Sequence, residues 1–185
     1  MSGPPVRKVP LGTADVEIER RTDGSVRLRS PHALGAYPAK ITERLVHWAR
    51  DAPDRAFIAQ REAGGAWRTL SYVETFAQVC AIGQALLDRG LSADRPVAIL
   101  SDNDIEHALL ALACMHVGIP YAPVSPAYSL ISADFGKLRH VIRLLTPGLV
   151  FTANADRFAQ AIEAAISPDT EVVATHVQAH GRAAT

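Results

Sequence analysis

The 185-residue chain has little of what usually announces a protein's chemistry. It carries two cysteines, Cys80 and Cys114, and their spacing offers neither a disulfide framework nor a zinc-ligand pattern. Both lie in apolar-periodic stretches, which predicts buried, inert thiols. Neither G-x-G-x-x-G nor G-x-x-x-x-G-K-S/T occurs. That absence counts, because cradling a phosphate takes successive backbone amides free of side-chain bulk. An excess of charge is missing as well. Nineteen basic residues stand against nineteen acidic ones, which removes the main electrostatic reason to expect nucleic acid or an anionic membrane as partner. A small organic molecule or another protein is the expected partner.

No basic-then-apolar leader opens the chain. Met1 to Pro10 is polar and holds three prolines, which predicts a flexible arm over residues 1–14 and a cytoplasmic location. The apolar run from Ala108 to Ala127 approaches the length of a membrane span. His116, Gly118, Pro120 and Pro123 interrupt it, and a buried helix followed by a buried strand accounts for the same letters.

What is present is apolar content, 48% of the residues, enough for a sizeable core. Two alternating runs flank Asp23-Gly24 between Asp15 and Ser30, a pair that favours the positive backbone angles of a tight hairpin. Ile41, Leu45 and Trp48 recur at helical spacing until Pro53 blocks continuation. A second hairpin is expected from Phe57–Gln60 and Trp67–Leu70 around Ala63-Gly64-Gly65. Ser71 and Glu74 then form a capping box, in which the Ser71 oxygen accepts from the third amide of the helix while Glu74 reaches back. The helix runs through Phe76, Val79, Cys80, Gly83, Leu86 and Leu87 toward Gly90. Residues 15–94 thus read as hairpins and helices.

Beyond Asp94 the rhythm changes. Val97–Leu100 is a buried-strand run, and Ser101-Asp102-Asn103-Asp104 supplies capping oxygens for a helix to Val117. Gly118 sits at the left-handed stop. Ile119–Val124 re-enters a sheet, but Pro120 and Pro123 remove amide donors, so the strand is short, or at an edge, or both. Helices over Asp134–Leu145 and Asp156–Ile166 alternate with strands over Gly148–Thr152 and Glu171–Thr175. The fold class is α/β: N-terminal hairpins, then a mostly parallel sheet over 95–176 flanked by helices. A small polar tail occupies 177–185. It follows a strand with no closing helix, which suggests that the chain continues in nature.

Several residues invite chemistry and have plainer explanations. Asp102, Asp104 and Glu106 offer oxygens for a hard cation, yet acidic residues also gather at a helix N-terminus because its free amides and dipole favour them. His107 and His116, nine apart on one helix, face opposite sides and share no metal. His116 reads as a hydrogen-bonded core residue. Lys137, Arg139 and Arg143 make a basic stripe, either for phosphates or as a solvated face. The loop Val124–Ser129 leaves the C-terminal end of a strand, where α/β sheets bind ligands, and the alternative is a rigid structural crossover.

This succession of residues resembles the N-terminal region of the adenylate-forming acyl-CoA synthetases, the AMP-binding enzymes. The buried strand Val97–Leu100, Asn103, the apolar helix Leu109–Val117, Gly118, Pro123 and Pro126 carry the resemblance. Trp67–Tyr72 leading into Glu74, and Ser132–Leu138 opening the next helix, extend it over Ala36 to Ile166. Within that superfamily SPAYSL, then DFGKLRH and LTPGLVF, look most like a feruloyl-CoA synthetase. The resemblance implies a two-step ligation using ATP, Mg2+ and CoA. It places Ser125, Tyr128 and Arg157 toward the CoA side. The family's phosphate loop with its lysine, adenine-binding segment, ribose-binding Asp and catalytic lysine are not among these 185 residues. The expectation is therefore the N-terminal subdomain of a larger enzyme, with no catalytic or metal-ligating residue, no cofactor bound alone, and a homo-oligomer left open. Alternatives are a self-standing non-catalytic binding domain, or part of another adenylate-forming enzyme such as a fatty acid ligase or a peptide-synthetase adenylation domain.

Overall fold

The computed structural model describes residues 12–176. Most of the expected N-terminal arm, and all of the expected tail, lie outside the described residues. The chain divides into two compact units, one ending at Tyr37 and the other beginning at Pro38.

In the first unit β1 (Glu17–Arg20) and β2 (Val26–Arg29) pair antiparallel, with Ile18 opposite Leu28 and Glu17 opposite Arg29. Gly24 takes φ +84°, and the Ser25 amide donates to Asp23 Oδ1 at 2.8 Å, so the Asp-Gly turn forms as the sequence predicts. One face of the hairpin carries Ile18, Val26 and Leu28. The other carries opposed charges, with Arg29 Nε donating to Glu17 Oε2 at 2.6 Å.

The second unit opens with α1 (Thr42–Asp51), the hairpin β3 (Ala56–Arg61) and β4 (Trp67–Ser71), and α2 (Tyr72–Asp88). The capping box at the start of α2 is present: the Glu74 amide donates to Ser71 Oγ at 3.3 Å, and the Ser71 amide donates to Glu74 Oε2 at 2.8 Å. These bonds hold the Glu74 carboxyl below its usual range. A four-stranded sheet follows, built from β5 (Val97–Ile99), β6 (Tyr121–Pro123), β7 (Leu149–Asn154) and β8 (Glu171–His176). Its order is β6-β5-β7-β8, and every pairing is parallel. The connecting helices are α3 (Ile105–Val117), a single turn α4 (Ala127–Leu130), α5 (Gly136–Leu145) and α6 (Ala155–Ala165).

Strand alternation splits the core in two. Val97, Ile99, Leu149 and Phe151 pack with α1, α2 and α3 on one face. Ala98, Leu100 and Val150 pack with Leu138 of α5 and Phe158 and Ala161 of α6 on the other. The helices therefore cover both faces, as an all-parallel sheet requires. Helices α2 and α3 approach closely because residue 83 is glycine: a Cβ there would lie 2.8 Å from Val117 Cγ1. Gly118 ends α3 at φ +79°. β6 is both short and at the sheet edge, and Pro123 sits in it.

Cys114 is buried, and burial pushes its thiol up to about 12. Cys80 is exposed, which corrects the expectation of two buried thiols. The buried line of α2 runs Thr75, Val79, Gly83, Leu86. Cys80 follows Val79 by one residue, roughly 100° around the helix and on the solvent side of that line. Among the described residues no helix is long and apolar enough to cross a membrane.

Candidate functional site at the carboxyl ends of the sheet

The chain leaves β5 into α3 on one face and leaves β7 into α6 on the other, and these two strands are neighbours. Such a reversal opens a crevice outside the carboxyl ends of the two strands, the usual ligand position in open α/β sheets. Three loops meet around it: residues 100–104 after β5, 124–126 after β6, and the start of α6 after β7.

The loop after β5 is held in place by its own polar residues. Ser101 is buried, 4% exposed; its Oγ donates to Asp104 Oδ2 at 2.8 Å and accepts from the Ala153 amide at 3.2 Å. Asp104 caps α3 by accepting from the His107 amide at 2.7 Å. The His107 ring stands 3.0 Å through Nδ1 from the Asp102 carbonyl, which requires that nitrogen to carry the proton. Across the crevice Asn154 caps α6, its Oδ1 accepting from the Arg157 amide at 3.0 Å. The Arg157 guanidinium donates through Nη1 to Asp102 Oδ2. One ion pair thus spans the switch point.

The three residues expected on the CoA side lie along this rim. Arg157 is exposed at the switch point. Ser125 is exposed in the loop after β6, and Tyr128 is half-buried in α4. The stretch expected as an open loop closes into a helical turn, with the Leu130 amide donating to the Pro126 carbonyl at 2.8 Å. Lys137 Nζ stands 5.4 Å from the centre of the Tyr128 ring, a cation–π distance. Of the basic stripe, Arg139 is occupied by the Asp134 and Ala164 carbonyls, while Lys137 and Arg143 are exposed.

Beside the rim, between β3 and the start of α3, lies a recess of about 430 Å³ lined by Ile58, Gln60, Asn103, His107, Ala108 and Tyr121 among others. The hairpin β3–β4 is tied to α3 there: Gln60 Oε1 accepts from the Ile105 amide at 2.9 Å, and Arg68 pairs with Glu106 at 2.5 Å. Of the three acidic residues at this helix start, Asp102 therefore serves Arg157, Asp104 the cap and Glu106 Arg68. The described residues bring no three metal-ligating side chains together and do not fit a magnesium site. His116 lies on the far side of α3, its Nδ1 3.2 Å from Thr42 Oγ1 and its ring edge-on to Phe76 at 5.7 Å. Burial, helped by Lys40, lowers its pKa.

Fold and crevice together define the ligand-binding half of a doubly wound α/β protein. A family model described as AMP-binding enzyme matches residues 45–184, and the chain belongs to that family. Among curated proteins it is 27% identical over 84 residues to luciferin 4-monooxygenase of Luciola mingrelica, a match covering 45% of this chain and 14% of the relative. Among solved structures, the fatty acyl-adenylate ligase from L. pneumophila in complex with acyl adenylate and pyrophosphate superimposes with a TM-score of 0.60 at 17% identity. That superposition covers 73% of this chain and 23% of the ligase. The Brucella canis acyl-CoA synthetase gives 0.57 at 19% identity, over 72% of this chain and 23% of the synthetase. The matches span about a seventh of the curated relative and a quarter of each solved structure.

Sequence reasoning missed Asp102 as a partner for Arg157. Its signal, a capping-rich tetrapeptide after a buried strand, was visible, but the partner is 55 residues away.

Proposed function

We propose that this chain forms the N-terminal part of an ATP-dependent acid–CoA ligase acting on an aryl acid of the ferulate type. In that reaction the substrate carboxylate attacks the α-phosphorus of ATP, expelling pyrophosphate and forming the acyl-adenylate. The CoA thiol then attacks the acyl carbon and AMP leaves. This chain's part is to present a rim at the carboxyl ends of its sheet, where Ser125, Tyr128 and Arg157 contact CoA.

The observation that carries the reading is the convergence of these residues, from separate stretches of an AMP-binding sequence, on the same end of one parallel sheet. The ferulate preference rests on SPAYSL, DFGKLRH and LTPGLVF. Magnesium would accompany ATP in such a reaction, but no step through it is assigned to these residues.

The test is made on the native protein from its source cells. Its intact mass is compared with the 19.8 kDa of this chain, and acid-dependent exchange of pyrophosphate into ATP is followed with ferulate, a fatty acid and an amino acid. A several-fold larger mass with ferulate-dependent exchange and feruloyl-CoA formation is expected. A native mass equal to this chain, without exchange, overturns the reading in favour of a non-catalytic binding domain. Exchange with the fatty acid or amino acid alone moves it to another adenylate-forming enzyme.

A further inference from the structure

The Arg157–Asp102 pair raises a question that neither residue answers alone: why a cation offered to a ligand should already be engaged. The geometry gives an answer. Asp102 takes the guanidinium through Nη1 only, and Nε and Nη2 have no partner among the described residues. The Arg157 guanidinium carbon stands 6.0 Å from the centre of the Phe158 ring, and Phe158 is 2% exposed and fixed in the core. Asp102 is itself anchored, because His107 Nδ1 bonds its carbonyl and Asp104 caps the same helix turn. An arginine held at one corner, near a fixed ring, keeps its Nε/Nη2 fork turned outward. That fork matches two oxygens of a phosphate.

We propose that Asp102 is the positioning residue for Arg157, fixing its guanidinium so that the free fork receives a phosphate monoester, the 3′-phosphate of CoA. This rests on the CoA reading of the rim given above. It makes a prediction opposite to simple electrostatics. Removing a carboxylate beside an anion site ordinarily strengthens anion binding, whereas removing a positioning carboxylate weakens it.

The experiment uses this full chain with its arginine side chains labelled with 15N, the Arg157 Nε–H signal being assigned by its loss in Arg157→Lys. In Asp102→Asn that signal is expected to shift and to exchange faster with water, and in Asp102→Glu to return most of the way. Titrations with CoA and with 3′-dephospho-CoA are expected to show tighter binding of CoA. They should also show a loss of about two- to fivefold in CoA affinity in Asp102→Asn, the range of an exposed charge pair, with dephospho-CoA binding unchanged. An Arg157 signal indifferent to Asp102, or CoA binding equal or tighter in Asp102→Asn, overturns the inference. Equal binding of CoA and dephospho-CoA by the unaltered chain also overturns it, while pyrophosphate exchange by the native protein continues to decide the ligase reading separately.

Discussion

The N-terminal hairpin and the strand β5 are built of similar letters and end in opposite surroundings. Ile18, Val26 and Leu28 in the hairpin are 57%, 50% and 63% exposed, whereas Val97, Ala98 and Ile99 in β5 are 0% exposed. Apolar content therefore does not decide burial. β5 has strands on both edges and helices on both faces, so three residues suffice to occupy the centre of the core. The hairpin has only its own partner strand, and a two-stranded ribbon has little apolar area to withdraw from water. Local chemistry shapes the hairpin, while long-range packing shapes the strand.

That contrast breaks or sharpens under substitution. Ile99→Ala opens space between β5 and α3 and is expected to cost about 2–5 kcal/mol, read from the denaturant midpoint. A loss below about 1 kcal/mol would mean that β5 is not the packed centre. Gly118→Val forces a β-branched residue into the left-handed region that ends α3, at an expected cost of about 1–3 kcal/mol. An unaltered melting temperature would show that Gly118 does not hold that conformation in solution. Ser71→Ala removes the cap of α2 and should cost about 1 kcal/mol.

The last effect carries its own pH dependence. The Glu74 carboxyl titrates below its ordinary 4.5 because Ser71 bonds its charged form. A depressed native value contributes stability above the ordinary value that is lost as pH falls through the native one. The gap between wild type and Ser71→Ala should accordingly narrow in acid below pH 4.5, and a gap that widens there would contradict the capping box. Ile18→Ala is the smallest change, expected within about 0.5 kcal/mol. A larger loss would reveal that the hairpin's apolar face is covered in solution, and the comparison with β5 would fail.

Where signals are local, the letters were sufficient. Asp23-Gly24 and Gly64-Gly65 marked both hairpin turns, Ser71 and Glu74 marked the start of α2, and Gly118 its left-handed stop. Each depends on backbone angles or bonds within four residues. The strand alternation after Asp94 also exposed the parallel sheet, since βαβ units repeat in order. The losses came from contacts distant in sequence. SPAYSL carries two prolines and reads as a loop, but Pro126 is tolerated just before the first turn of a helix, where no amide donor is needed. Cys80 lies one residue beyond Val79, and only the packing of α2 on α3 decides which of them faces inward. Asp102 looked like one more helix-start acid, and its guanidinium partner enters only through the fold.

One edge of the sheet also governs how it can extend. The Val124 amide donates inward to the Ile99 carbonyl, and the Val97 amide accepts nothing but reaches the Pro120 carbonyl, so by alternation the amides of residues 121 and 123 would point outward from β6. Residue 123 is proline and has none. The outer side of β6 therefore presents a single amide donor, that of Tyr121, where a full strand would present a row. The sheet has a sealed border and an open one. Any added strand, whether from the same polypeptide or from a stray copy in a concentrated solution, finds its template along β8, so growth of this sheet has one direction.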